Sequence, residues 1–72
     1  MARICKRLLI LEIVPNDEKQ IEKYCKQRAL LNMSETIYLY LNNTIEVVSE
    51  ILEIDRTTVL RRVNRFLETA ER

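Results

Sequence analysis

The chain contains no glycine, no histidine and no tryptophan, and one proline in 72 residues. Without glycine there is no phosphate-cradling P-loop and no dinucleotide-binding fingerprint, since both need backbone that only glycine adopts easily. Without histidine there is no imidazole to act as base or metal ligand. The carboxylates near the start, Glu12, Asp17, Glu18 and Glu22, have no histidine partner for acid–base work and fall on an exposed helical segment. The expectation is a protein that is not an enzyme and uses no cofactor and no metal.

Cysteine is almost as scarce. Cys5 and Cys25 have neither the spacing nor the companions of a zinc site, and a single bridge would be a sparse framework for a secreted domain. Both are read as reduced thiols in a cytoplasmic protein. The opening "MARICKRLLILEIVP" places Arg3, Lys6 and Arg7 ahead of an apolar run, as a secretory leader does. That run, Leu8 to Val14, is interrupted by Glu12 and leads into "PNDEKQ" rather than a small-residue cleavage site. It is also too short to cross a bilayer.

What is abundant is Leu, Ile, Glu and Arg, the composition of a helical domain. A chain this short forms one domain with a modest core, residues 1–72, for which a homodimer or a stabilising partner is expected. Along it the pattern gives one strand-like segment and four helices, hence a mainly α fold of about four helices. Residues 8–14 put Leu9, Leu11 and Ile13 on one side if extended, and such a strand could pair with its mate across a twofold axis. The same stretch also reads as helix, because Ile4, Leu8 and Leu11 are helically spaced. Pro15 closes it. Asn16 or Asp17 then caps a helix through "DEKQIEKYCKQRALL", with Ile21, Cys25 and Ala29 as its apolar stripe. Ser34 is expected to cap "ETIYLYLNN", with Ile37, Leu41 and a tyrosine inward, so that residues 16–43 form a support and dimerisation region. Thr44 caps "IEVVSEILE" and Asp55 caps "RTTVLRRVNRFLETAER".

The last two helices, residues 44–69, have the form of a helix-turn-helix, two helices joined by a tight turn. At about 100° per residue, Val59, Val63 and Phe66 cluster on one side of the second helix, with Leu67 close by. Thr57, Arg61, Asn64 and Arg65 lie opposite, Thr58 and Arg62 on one flank, Arg56 and Leu60 on the other. Charge is sorted to match. Residues 29–55 hold five acids, Glu35, Glu46, Glu50, Glu53 and Asp55, and no lysine or arginine, whereas residues 56–72 hold five arginines. The formal net charge of +1 conceals this division. Arginine's planar fork bonds guanine edges or phosphate in pairs, and threonine adds hydroxyl donors. Tyr24, Tyr38 and Tyr40 are read as packing residues rather than base-stacking platforms.

The segment "TIEVVSEILEIDRTTVLRRVNRF" resembles the helix-turn-helix of Fis-type proteins and of the C-terminal DNA-binding domains of NtrC-type activators. The resemblance rests on Leu52, Ile54, Arg56, Thr58, Val59, Arg62, Val63 and Arg65. "SETIYLYLNN" resembles the helix that precedes this unit and helps to make the family's dimer, so about half the chain, residues 34–67, is covered. The resemblance implies a homodimeric regulator that sets helix 55–67 of each copy into the major groove of double-stranded DNA. Arg56 would then contact bases, Thr58 phosphate, and Arg61 and Arg65 phosphate or groove, with Thr44 at the backbone; Thr57 and Asn64 share the face. Glu53 stands at the family's turn glycine, so the turn is either strained or differently shaped. Arg3, Lys6 and Arg7 could add a flexible basic arm or simply a charged terminus. Two alternatives stand beside this reading. One is a ribbon-helix-helix repressor that reads DNA through strand 8–14; the other is a protein-interaction adaptor or anti-activator using the acidic stretch and Leu60.

Overall fold

The computed structural model describes residues 5–30 and 33–70. It consists of five helices: α1 (Lys6–Ile13), α2 (Glu18–Gln27), α3 (Ser34–Asn42), α4 (Ile45–Leu52) and α5 (Arg56–Ala70). There is no strand among the described residues. The third helix is the hub, packed against α2, α4 and α5, while α1 lies on α5.

The strand expected at residues 8–14 is a helix instead, and the reason is burial. Ile10 and Val14 are fully or nearly fully covered and Ile13 half so, a spacing that only a helix turns to one side. As a lone strand the segment would leave both edges without hydrogen-bond partners; as a helix it satisfies its own backbone. The outward positions are Leu8 and Leu11. The ribbon-helix-helix alternative therefore lacks the extended segment it requires. Pro15 does end the element: Val14 is forced into an extended conformation, φ −138° and ψ 148°, as a residue preceding proline must be.

The start of α2 follows expectation, with the Asp17 carboxylate accepting from the Lys19 N–H at 2.9 Å. Its end does not. The helix stops at Gln27, and Ala29, expected on the buried stripe, is exposed in the left-handed region at φ 58°. The Leu30 N–H returns to the Cys25 carbonyl (2.8 Å) and the Ala29 N–H to that of Lys26 (3.3 Å), the reversal known as a Schellman motif. Leu30 thereby takes the buried place beside Ile21 and Cys25.

Ser34 is the first residue of α3 rather than its cap; Met33 holds the cap position without a side-chain bond. The other end of α3 is secured without glycine. Asn42 and Asn43 donate their side-chain amides to the carbonyls of Tyr38 (2.8 Å) and Leu39 (3.1 Å). Arg7 reaches over from α1 to the carbonyls of Tyr40 (2.9 Å) and Asn43 (2.8 Å). Its guanidinium also stacks on the Tyr40 ring at 4.5 Å. A cation at a helix C-terminus is favoured by both the terminal carbonyls and the dipole, and here it ties α1 to the hub.

Thr44 caps α4 as expected, its hydroxyl accepting from the Val47 N–H at 3.3 Å. The turn to α5 is left-handed at Glu53, φ 56° and ψ 42°, with the Ile54 N–H bonded to the Ser49 carbonyl at 3.1 Å. Glu53 thus adopts the conformation that favours glycine, and carries the steric strain of a Cβ there. The Asp55 carbonyl accepts from the Val59 N–H at 3.1 Å and so begins α5. Val59, Val63 and Phe66 are all fully buried, and the Phe66 ring meets Tyr24 of α2 at 5.3 Å between centroids.

A glycine-free chain with two left-handed residues is open to stabilisation. Ala29→Gly and Glu53→Gly should each add about 0.5–1 kcal/mol, the relief of Cβ strain outweighing the added freedom of the unfolded chain. Urea denaturation of each variant measures this; a loss of stability in both would contradict the account of the turns.

Candidate nucleic-acid interface

The rotation of α5 about its axis is set by its buried seam, and that determines what faces solvent. With Val59, Val63 and Phe66 against the core, Thr57, Arg61, Asn64 and Arg65 are exposed, and Thr58 is half-buried at the edge. Arg61 and Arg65 make no salt bridge or hydrogen bond among the described residues. Arg62 behaves otherwise. It is half-buried and donates from Nη1 to the Oγ1 of Thr36 at 3.1 Å, the one buried polar residue among those described. One of the clustered arginines is therefore a structural tie between α5 and α3.

Arg56 sits at the first turn of α5, its Nη2 3.5 Å from Oε1 of Glu46. Both side chains are about two-thirds exposed, 65% and 68%, so water and salt weaken the pair and it breaks readily. Arg56 shares an open groove with Arg7, Thr44, Ile45, Glu46 and Leu60. Two candidates from different helices, Thr44 and Arg56, are thereby brought together. Leu60 is half-buried in this groove rather than standing out as a contact. Asn64 accepts from the Lys6 ammonium at 2.7 Å, which occupies its carbonyl and leaves its amide N–H groups outward. At the far end Arg65 lines a depression with Arg28, Glu68 and Thr69.

Sequence reasoning missed that Lys6 and Arg7 belong to this surface as fixed members of α1 rather than as a loose arm. The signal lay in the helical phase of Ile10 and Val14, which points the preceding turn at α5; Arg3 lies outside the described residues. It also did not weigh α2, where Lys19, Lys23 and Lys26 line a groove with Glu22 and Gln27. That surface has an internal counterion, Glu22 to Lys26 at 3.0 Å, which reduces its pull on an anion.

The remaining chemistry is sparse. Among the described residues no group of His, Cys, Asp or Glu could hold a metal ion, and no helix is long and apolar enough to cross a membrane. Both cysteines are thiols, Cys5 exposed and Cys25 buried. Hydrogen bonds from the backbone N–H groups of Leu8 and then Arg7, at the start of α1, pull the Cys5 thiol below its usual range. Burial pushes that of Cys25 up.

No protein-family model, curated protein or solved structure matches this chain.

The two kinds of arginine should separate on substitution. Arg62→Ala leaves the buried Thr36 hydroxyl without its partner and should cost about 1–2 kcal/mol. Arg61→Ala should stay within about 0.5 kcal/mol of wild type. Paired denaturation curves measure both, and equal losses would contradict the assignment.

Proposed function

We propose that the protein binds double-stranded DNA by laying α5 in the major groove, as a homodimeric, cytoplasmic transcriptional regulator of the Fis-like helix-turn-helix kind. The observation that carries this is the state of Arg61 and Arg65. They are exposed on the face opposite the buried seam and have no protein acceptor among the described residues. Arginines so placed supply donors for phosphate oxygens and guanine edges. The short reversal at residues 53–55 supports the same reading, since Glu53 keeps a left-handed turn where the resembled family has glycine.

In this account Arg56 exchanges its exposed Glu46 partner for a base edge, a low-cost exchange given how weakly screened surface pairs hold. Thr57 and Thr58 at the first turn offer hydroxyls to the backbone, and Thr44 does so from the start of α4. The amide of Asn64, held by Lys6, remains able to donate to a base acceptor. Lys6 and Arg7 add positive potential on the α1 side. A twofold dimer would present two α5 helices to successive turns of the duplex, about 34 Å apart. Because Thr36, Ile37 and Tyr40 of α3 are buried within the protomer, only the outer residues of that helix remain for pairing.

The test is affinity for a pool of random duplex DNA across a salt series, wild type beside an Arg56→Ala, Arg61→Ala double variant and a Lys19→Ala, Lys23→Ala control. Wild type and the α2 control should bind with a steep salt slope, since cations that displace counterions lose affinity as salt rises. The arginine variant should bind roughly 10- to 100-fold more weakly, with a slope lower by about one unit per phosphate contact removed. Equal binding by wild type and the arginine variant would overturn the proposal.

A further inference from the structure

The charge sorting leaves a second surface that the DNA reading does not use. On α4, Val47 and Ile51 lie one turn apart and remain exposed, 38% and 52%. Glu50 lies beside them on the same helix, Glu46 at the edge, and Glu53 follows at the turn, all exposed. No lysine or arginine is found from residue 29 to residue 55, so nothing on this helix offsets the acids; among the described residues the one salt bridge they make is Glu46 to Arg56. A face of this kind is repelled by phosphate and has two apolar side chains left in water.

We propose that this α4 face docks a basic amphipathic helix of another protein: two apolar residues one turn apart to cover Val47 and Ile51, flanked by lysine or arginine to meet Glu50, Glu53 and the outer edge of Glu46. Charge complementarity selects that occupant. A second copy of the chain does not fit it. The other exposed large apolar residues among those described are Leu8 and Leu11 on α1; the exposed charge next to them is Glu12, of the same sign as the α4 rim, and the cations that precede them, Lys6 and Arg7, are half-buried and already bonded to Asn64 and to the Tyr40 and Asn43 carbonyls. The lysine face of α2 and the arginine face of α5 have the right charge but no exposed large apolar residue. The inference stands apart from the DNA reading, because Val47, Ile51, Glu50 and Glu53 are not among the contacts of that reading and the test contains no DNA in the binding step.

The probe is a fluorescent helix-forming peptide of leucine, lysine and alanine with its leucines one turn apart, compared with a scrambled isomer that has no apolar face. Anisotropy is read for wild type, Val47→Ser/Ile51→Ser, and Glu46→Gln/Glu50→Gln. The amphipathic peptide should bind wild type at least 10-fold more tightly than its isomer, and each double variant should lose at least fivefold. Circular dichroism should show both variants fully helical, as expected for changes at exposed positions. DNA affinity of Val47→Ser/Ile51→Ser should equal that of wild type, which keeps this outcome separate from failure of the α5 proposal. The inference is overturned if peptide and isomer bind alike, if the variants bind like wild type, or if the serine variant loses DNA affinity. It is also overturned if sedimentation shows wild type self-associating through this face, with the serine variant dissociating.

Discussion

The buried seam of α5 is the constraint on which the rest of the structure depends. Val59, Val63 and Phe66, each fully buried, lock the rotation of a 15-residue helix, and every polar residue on it is placed by that lock. Burying three such side chains stabilises by several kcal/mol, about 1.5–3 kcal/mol each before entropy is counted, far more than any exposed ion pair on the same helix contributes. The outward arginines are thus displayed by packing and not by their own interactions. That is what a binding surface needs, since donors already committed to the protein would have to be released before they could serve a ligand.

Around this seam the polar groups divide between holding the fold and facing outward. Arg7 and Arg62 reach carbonyls or a buried hydroxyl and close the seams between α1, α3 and α5. Arg61 and Arg65 do not. No buried side-chain nitrogen or oxygen among the described residues lacks a partner, so the interior is internally satisfied while the surface is electrically lopsided. Acids line α4 and arginines line α5, with the Glu46–Arg56 pair at the boundary. The adjacent helices α4 and α5 therefore offer surfaces of opposite sign, and a single ligand of one sign cannot cover both.

Most of the fold was legible in the residues because helical periodicity was strong where it mattered. The α5 wheel, the Thr44 and Asp17 caps and the inward Ile37 could be read from spacing alone. The N-terminal segment stood between strand and helix because Leu8, Leu9, Ile10 and Leu11 are apolar without a gap, so a period of two and a helical spacing both fit it. Only the burial of Ile10, on a helix packed against α5, decides it, and that is a tertiary fact. The end of α2 escaped for a different reason. With no glycine in the chain, the usual marker of a left-handed reversal is absent, and Ala29 is a helix former that the chain nevertheless turns at. At the surface, sequence separated Arg62 from the outward face but could not find its partner Thr36, 26 residues earlier. Nor could it bring Lys6 to Asn64, which are 58 residues apart.

The central claim is that the outward face of α5, and not the lysine face of α2, meets DNA. Chemical-shift mapping of isotopically labelled protein titrated with a mixed-sequence duplex at low salt tests it most directly. The account predicts the largest perturbations at Thr44, Arg56 to Thr58, Arg61, Asn64 and Arg65, with smaller ones at Lys6, Arg7 and the Val47 amide bonded to Thr44, and little change at Glu50 and Ile51. Perturbations centred on Lys19, Lys23 and Lys26, or none anywhere at saturating duplex, would contradict it.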